Sequence, residues 1–266
     1  VEVMENIMGV TSHLRRKIVE NGGDPERETL NVLLAKDGKP YYVDSCGEYW
    51  RIYHFIEGAS CYEQVESEED FYQSALSFGN FQCLLSDYPA ETLHETIPGF
   101  HDTKQRFANF KRAVEADVMG RAKAVEREIE FVLAREQDAA VDTVMPGLSV
   151  NDFGDSIRFG ASTAAEDEID LEKVSCSMRL FEVYNNGFQK GCRGRLTGTE
   201  IEMLPMGAKI MTYECGMRFL TDYLEGDHYF QIHRKDHNLD RARTQFKLVA
   251  DMEQKWDTMM KIVKNK

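Results

Sequence analysis

Three aspartates in one short part of the chain have the chemistry of a cation site. Asp142, Asp152 and Asp155 occur together with Gly147 and Gly154. Hard cations such as Mg²⁺ take carboxylate oxygens, often one or two carboxylates together with phosphates and water. The spacing alone favours a plainer role in loop capping and turn formation. Asp152 also begins the tripeptide DFG of protein kinases, a string too short to be specific.

A second polar segment, residues 225–238, lies between two predicted long helices. Its histidines, His228, His233 and His237, have ligand chemistry for zinc, but they cross a predicted loop and no cysteine joins them, which argues against a zinc site. A pocket that hydrogen-bonds a hydroxyl-rich ligand fits better, and an interhelical salt-bridge network is the alternative. The pocket residues would be Arg218, Asp222, Tyr229, His233, Arg241 and Arg243.

Charge and composition restrict the class of protein. The 266 residues include 32 Lys and Arg against 46 Asp and Glu, a net charge of −14, whereas nucleic-acid-binding proteins usually carry a basic face. No apolar run approaches the ~20 residues of a membrane helix. Six cysteines without a CxxC pair predict reduced, buried thiols and a cytoplasmic location. Val1 stands inside a helical pattern, so we expect a cut N-terminus.

The elements that would position these residues fall into two parts. Apolar residues at three- and four-residue steps predict a helix over residues 1–20. Three β-like runs at 29–35, 40–44 and 49–56, separated by Asp-Gly and Cys-Gly turns, predict an antiparallel meander of three strands. We therefore expect a small β-rich part at residues 1–57 and a large helical part at residues 58–266.

Capping signals and apolar periodicity predict the helices of the second part. Ser67 begins a helix to about residue 85, and apolar residues mark helices near 107–118 and 125–132. Thr163 and Thr197, each with Glu three residues later, predict helices that reach about residues 188 and 224. A final helix is predicted at 239–262. After Ala140 a helical pattern changes abruptly into an acidic, loop-like segment, so we expect a break or missing segment between Ala140 and Val141.

Four long strings resemble one family in order along nearly the whole chain. They are residues 27–59, 71–101, 142–168 and 214–256, and the most specific contain DTVMPGLSVNDFGDSIRFGAS and ECGMRFLTDYLEGDHYFQIHRKDHN. They are similar to N-acetylhexosamine 1-kinases of the aminoglycoside phosphotransferase and choline kinase superfamily. The resemblance implies an α+β, protein-kinase-like two-lobe fold, with a small antiparallel-sheet N-lobe and a large, mostly helical C-lobe. It also implies transfer of the ATP γ-phosphoryl, with Mg²⁺, to the anomeric hydroxyl of GlcNAc or GalNAc.

The resemblance assigns roles to individual residues. Phe55, Ile56 and Glu57 would form the hinge that meets adenine through backbone groups. Asp142 matches the second acid of a metal-site motif, and Asp155 matches a buried aspartate that supports the catalytic loop. The family's catalytic loop, H-N-D-T-K-x-x-N, is missing from the sequence. The general-base aspartate is therefore expected in a segment that would follow Ala140.

Two alternatives to the sugar kinase stay open. The chain could be a non-catalytic remnant that binds a sugar, or a kinase of the same superfamily acting on another small alcohol such as choline. A choline site would need an aromatic and acidic cage for a quaternary ammonium, and the arginines of residues 234–243 argue against a cationic acceptor. The expected partners are a small sugar and ATP, with no nucleic acid and no membrane.

Overall fold

The computed structural model describes residues 1–61, 65–99, 101–141 and 148–265. The chain divides into two compact units. The first unit comprises Val1–Glu63 and Asn80–Pro98, and the second, which we call the helical unit, comprises Gln64–Gly79 and Gly99–Lys266. The sequence predicted a division after residue 57, but it gave no sign that residues 80–98 return to the first unit.

The first unit is built on the helix α1 (Glu2–Glu20), as predicted, followed by the single turn α2 (Pro25–Glu28). Met4, Leu14 and Ile18 are buried along one side of α1. The returning segment is tied to α1 by polar contacts. His13 Nε2 lies 2.9 Å from the Leu84 carbonyl oxygen, and Asn6 exchanges two hydrogen bonds with the backbone of His94, each 2.9 Å long.

The part of the first unit that the structure describes also contains four two-residue strands: β1 (Val32–Leu33), β2 (Tyr42–Val43), β3 (Tyr49–Trp50) and β4 (Ile52–Tyr53). The pairing is antiparallel as predicted, but the meander order is wrong. β2 pairs with β3, whereas β1 pairs with β4, so the third predicted strand divides between two partners. Asp44 holds the β2–β3 turn, because its carboxylate accepts hydrogen bonds from the Trp50 indole and the Cys46 amide.

Among its described residues, the helical unit contains eight further helices and most of α3 (Glu68–Leu85). Together with the two small sheets of the first unit, they make this an α+β protein that is mostly helical. The further helices are α4 (Thr103–Ala116), α5 (Glu126–Leu133), α6 (Glu136–Val141), α7 (Leu148–Gly160), α8 (Met178–Gly191), α9 (Gly198–Glu225), α10 (His237–Gln254) and α11 (Trp256–Lys264).

Two predictions about these helices are wrong. The helix expected from Thr163 to about residue 188 is absent from its first half: the Thr163 hydroxyl donates to the Lys173 carbonyl, and α8 begins only after its own cap, Ser177. The last helix is divided in two at Lys255. α6 includes both Ala140 and Val141, and the segment expected to be missing between them stays a prediction.

Two clusters of buried side chains form the core of the helical unit. The first includes Phe153 of α7, Tyr184 and Phe188 of α8, and the early α9 residues Leu204 and Ala208. The second contains side chains of α4, α5 and α10 around the later α9 residues, such as Tyr213, Met217 and Leu220. The long helix α9 therefore contributes buried side chains to both clusters, and one of its sides carries polar groups. Within the described part of the chain, no helix is long and apolar enough to cross a bilayer.

Candidate functional site

Helix α9 presents three charged residues on successive turns: Glu214, Arg218 and Asp222. A complete capping box fixes the start of the helix, because Thr197 and Glu200 satisfy each other's backbone amides. Residues four apart lie on the same side of a helix. Glu214 and Asp222 are buried, with only 2% and 4% of their surface exposed, and Arg218 between them is partly exposed. Of these three charged side chains, Arg218 is therefore the one that a ligand in solution can reach.

Asp222 organises the loop that follows α9. Its Oδ1 accepts hydrogen bonds from the backbone amides of His228 and Tyr229 at 2.9 and 2.8 Å. Its Oδ2 accepts from the amide of Phe230 and from the side chain of Asn238, both at 2.9 Å. Four donors occupy this buried carboxylate. Asp222 thus positions the loop, and a ligand would have to displace one of these donors to reach it.

The loop places two aromatic rings beside Arg218. Its guanidinium carbon lies 5.7 Å from the ring centre of Tyr229 and 5.3 Å from that of Phe230, within the range of a cation–π contact. One guanidinium nitrogen lies 3.4 Å from the Tyr229 hydroxyl. The ring of Tyr229 is 73% exposed. Arg218, Asp222 and Tyr229, which the sequence analysis grouped, do come together here.

These residues line a cleft of about 460 Å³ between α4 and α9, which we call the α4–α9 cleft. Its apolar wall includes Ala113, Val118, Met217 and Phe230. The α4 side of the cleft was not predicted. Phe107 and Phe110 are among the buried residues of α4, and the three-residue spacing of Arg106, Asn109 and Arg112 on the adjacent side could have indicated it. The polar residues of this cleft are Arg106, Asn109, Arg112, Arg218, Thr221 and Glu225, besides Asp222 and Tyr229.

A second cleft of about 260 Å³ adjoins Arg218 on its other side, between α7 and α9, and we call it the α7–α9 cleft. Asp152, Asp155 and Arg158 of α7 line it together with Glu214 and Cys215. Glu214 is neutralised by Arg106, whose Nε lies 2.8 Å from its carboxylate. Burial raises the pKa of the Cys215 thiol to about 11, so this cysteine is not a thiolate nucleophile at neutral pH.

From Leu148 onward, the acidic segment singled out in the sequence is a helix and not a loop. Val150, Phe153 and Ile157 are buried at three- and four-residue spacing, and this pattern forms α7. Asp155 is exposed, at 57% of its side chain, and pairs with Arg158 at 2.9 Å. The expectation of a buried Asp155 is therefore wrong. Asp142, the predicted metal ligand, lies outside the described residues.

The other predicted pocket residues lie elsewhere. Arg243 pairs with Glu128 at 2.6 Å, and Arg241 donates to the Gln231 carbonyl and lies 3.8 Å from Glu166. Arg243 thus forms an interhelical salt bridge, which was the alternative to a pocket, whereas Arg241 contacts residues of two loops. His233 is exposed and lines neither cleft. Three of the six predicted residues thus do not belong to the α4–α9 cleft.

The predicted adenine hinge and the three histidines considered for zinc lie in different parts of the chain. Phe55, Ile56 and Glu57 follow β4 in the first unit. Phe55 is 80% exposed, and the Glu57 carbonyl accepts a hydrogen bond from Arg27 at 3.2 Å. Adenine binding there stays a prediction. Among the described residues, which include His228, His233 and His237, no group of three metal-binding side chains is close enough to hold an ion. No protein-family model matches the chain.

Proposed function

We propose that this chain binds an N-acetylhexosamine in the α4–α9 cleft, as the acceptor of an ATP-dependent sugar 1-kinase with a protein-kinase-like two-lobe fold. The observation that carries the proposal is the Arg218–Tyr229 pair at the cleft wall, a guanidinium and a hydroxyl held 3.4 Å apart beside two aromatic rings. The two residues lie in the string with the most specific resemblance to these kinases.

The pair has the chemistry that a pyranose needs. The apolar face of a sugar ring stacks against an aromatic ring, and the exposed ring of Tyr229 offers such a surface. The planar guanidinium of Arg218 carries five donors in a fixed fork, which suits hydroxyl oxygens on adjacent carbons. The hydroxyls of Tyr229 and Thr221 add groups that both donate and accept. Because the cleft also carries arginines, a cationic acceptor such as choline fits it poorly.

The proposed reaction transfers the γ-phosphoryl of ATP to the anomeric hydroxyl. Such transfer asks the protein mainly for positioning and for stabilisation of charge. Bound Mg²⁺ would neutralise the phosphate oxygens, and Asp142 would hold it according to the resemblance. Phe55, Ile56 and Glu57 would receive adenine. An aspartate must also take up the proton of the sugar hydroxyl, and the H-N-D-T-K-x-x-N segment that supplies it in the related kinases does not occur in this sequence.

A second candidate is a sugar-binding protein without transfer activity. The observation that favours it is that the H-N-D-T-K-x-x-N string, which carries the general base in the similar kinases, does not occur in this sequence. Both candidates require the sugar at Arg218 and Tyr229. They differ only in whether the bound sugar reacts with ATP.

Two measurements on the same protein separate the candidates. Calorimetric titration with GlcNAc and GalNAc measures binding, and coupled detection of ADP with ATP and Mg²⁺ measures transfer. ADP release that requires the sugar establishes the kinase. Saturable sugar binding without ADP release establishes the binding protein. If neither sugar binds, or if Arg218→Ala binds as well as the control Arg127→Ala, the proposal fails. Arg127 is an exposed arginine of α5 that lines neither cleft.

A further inference from the structure

We infer that the natural ligand of the α4–α9 cleft is an acidic sugar, whose carboxylate or phosphate group is bound by Arg112 and Arg218. The inference rests on the proposed function, since it adds a charge requirement to the same sugar site. A neutral hexosamine would use the aromatic wall and the hydroxyls and would leave the positive charge of the cleft uncompensated.

The charges of the cleft divide into occupied and available groups. Of the five charged side chains that line it, Arg106 is paired with the buried Glu214. Asp222 is occupied by four hydrogen-bond donors from the following loop and α10. The side chains left to meet a ligand are therefore Arg112, Arg218 and Glu225, with a surplus of one positive charge.

Arg112 and Arg218 line the same cleft, and neither is paired with an acidic side chain in the part of the chain that the structure describes. Acidic residues outnumber basic ones by 46 to 32, and neither arginine has a carboxylate within ion-pair distance among the described residues. Arg112 donates only to the neutral amide oxygen of Asn109. Arg218 contacts the rings of Tyr229 and Phe230 and donates a hydrogen bond to the Tyr229 hydroxyl. In a protein with excess acid, two guanidiniums that face one cleft without a carboxylate partner mark a position for an external anion.

The geometry fits an anion attached to a sugar better than a free ion. Arg218 lies against the aromatic rings of Tyr229 and Phe230, and Arg112 approaches the same cleft from α4. A ligand that stacks on Tyr229 can thus extend an acidic substituent toward the arginines. Guanidinium groups bind carboxylates and phosphates through paired hydrogen bonds, which are stronger than bonds between neutral groups.

Titration of one neutral and three acidic sugars tests the inference. The probes are GlcNAc, GlcNAc 6-phosphate, GlcNAc 1-phosphate and N-acetylmuramic acid, whose acidic groups lie at different positions of the ring. Each is titrated into the wild type, Arg112→Gln, the control Arg127→Gln and Glu225→Gln. Arg112→Gln and Arg127→Gln remove the same charge, but only Arg112 lines the cleft. Circular dichroism and thermal unfolding check that every variant is folded.

We expect at least one acidic sugar to bind about tenfold more tightly than GlcNAc, because charge-assisted hydrogen bonds exceed neutral ones by this order. Arg112→Gln should remove most of this preference, and Glu225→Gln should increase it. Higher salt should weaken the preference.

The inference is overturned if GlcNAc binds and no acidic sugar binds more tightly, or if Arg112→Gln behaves like Arg127→Gln. Binding of an acidic sugar without measurable binding of GlcNAc supports the charge requirement and refutes the neutral acceptor of the proposed function. Failure of all four sugars refutes both. The position of the preferred acidic group then identifies whether a substituted acceptor or a sugar 1-phosphate occupies the cleft.

Discussion

Gly154 of α7 and Gly207 of α9 lie in direct backbone contact. A Cβ atom built on Gly154 would lie 2.5 Å from the carbonyl carbon of Gly207, and one built on Gly207 would meet the backbone of Val150. The two helices approach this closely because neither residue has a side chain. Their contact sets the spacing of the α7–α9 cleft, since Asp152 and Asp155 lie on the same helix as Gly154.

The first prediction concerns this contact. Gly154→Ala should lower the free energy of unfolding by about 1–3 kcal/mol, because the obstructing atoms are backbone atoms that cannot move aside. Gly198→Ala at the start of α9 is the control, since a Cβ there meets nothing within 4 Å, and it should be neutral or stabilising. Urea unfolding measures both variants. Equal stabilities would contradict the close helix contact.

We expect Asp222 to stabilise the loop that follows α9, whether or not a ligand is bound. Asp222→Ala should cost about 3 kcal/mol of unfolding free energy, because four donors lose a buried, charged acceptor. Glu225→Ala, one turn later on an exposed position, should change stability by less than about 0.5 kcal/mol. Thermal or urea unfolding compares the two. A mild effect of Asp222→Ala would mean that the loop is held by other contacts.

The sugar site is tested by conservative substitutions. Tyr229→Phe keeps the ring and removes the hydroxyl, so sugar affinity should fall by about three- to tenfold. Arg218→Lys keeps the charge and removes the planar fork, and it should weaken binding by a similar factor. Calorimetry with GlcNAc measures both. His233→Ala, which alters a residue outside the cleft, should leave affinity unchanged; an equal loss in this variant would refute the assignment.

The cysteines should differ sharply in reactivity. All six are free thiols, as predicted, but Cys46 and Cys61 are exposed rather than buried. Burial raises the pKa of Cys176 to about 12 and that of Cys215 to about 11. Since the thiolate is the reactive form, their alkylation should stay slow at pH 8 and rise only as the pH approaches these values. Mass spectrometry after brief iodoacetamide treatment should find label first on Cys46 and Cys61, and rapid labelling of Cys176 would contradict the prediction.

Asp251 should contribute to stability in a pH-dependent way. Burial raises its pKa, but hydrogen bonds from Lys255, the Cys176 amide and the Ser175 hydroxyl outweigh burial and hold the pKa below its ordinary value of 3.8. A carboxyl group with a lowered folded-state pKa stabilises the protein above its unfolded-state pKa, and this contribution is lost as the pH falls through the folded-state value.

Asp251→Asn should therefore be about 2 kcal/mol less stable than the wild type at pH 7. The difference should begin to shrink as the pH falls below the ordinary pKa of 3.8, where the unfolded chain takes up the proton, and it should be lost as the pH falls through the lower folded-state pKa. Asp257→Asn on the exposed part of α11 is the matched control. Urea unfolding between pH 3 and pH 7 gives the comparison. A difference that does not depend on pH would assign the effect to packing alone.

Local signals in the sequence were sufficient for several elements. Apolar spacing identified α1, and the reciprocal side chains of Thr197 and Glu200 identified the start of α9. The same type of signal failed at Thr163, whose hydroxyl bonds to Lys173 and Ser175 across a bridge between Ser162 and Cys176. A capping sequence cannot reveal that its side chain has a distant backbone partner.

The candidate site shows the same limit. Arg218 and Tyr229 are eleven residues apart on one helix and the adjoining loop, so a local pattern could group them. Arg243 was placed with them by proximity in sequence, but Glu128 on α5 binds it instead. Arg112 was missed because it reaches the cleft from α4, more than one hundred residues away in the chain. Partners from distant helices depend on tertiary packing, which composition and periodicity do not record.

The course of α9 through both core clusters has a consequence for how the helical unit melts. Leu204 and Ala208 belong to the first cluster, and Met217 and Leu220 belong to the second. Neither cluster can lose its packing without exposing part of the same helix. The helical unit should thus open as one cooperative block, with the slowest amide exchange in the middle turns of α9. Local fraying elsewhere in the chain would leave the two clefts intact until this cooperative block unfolds.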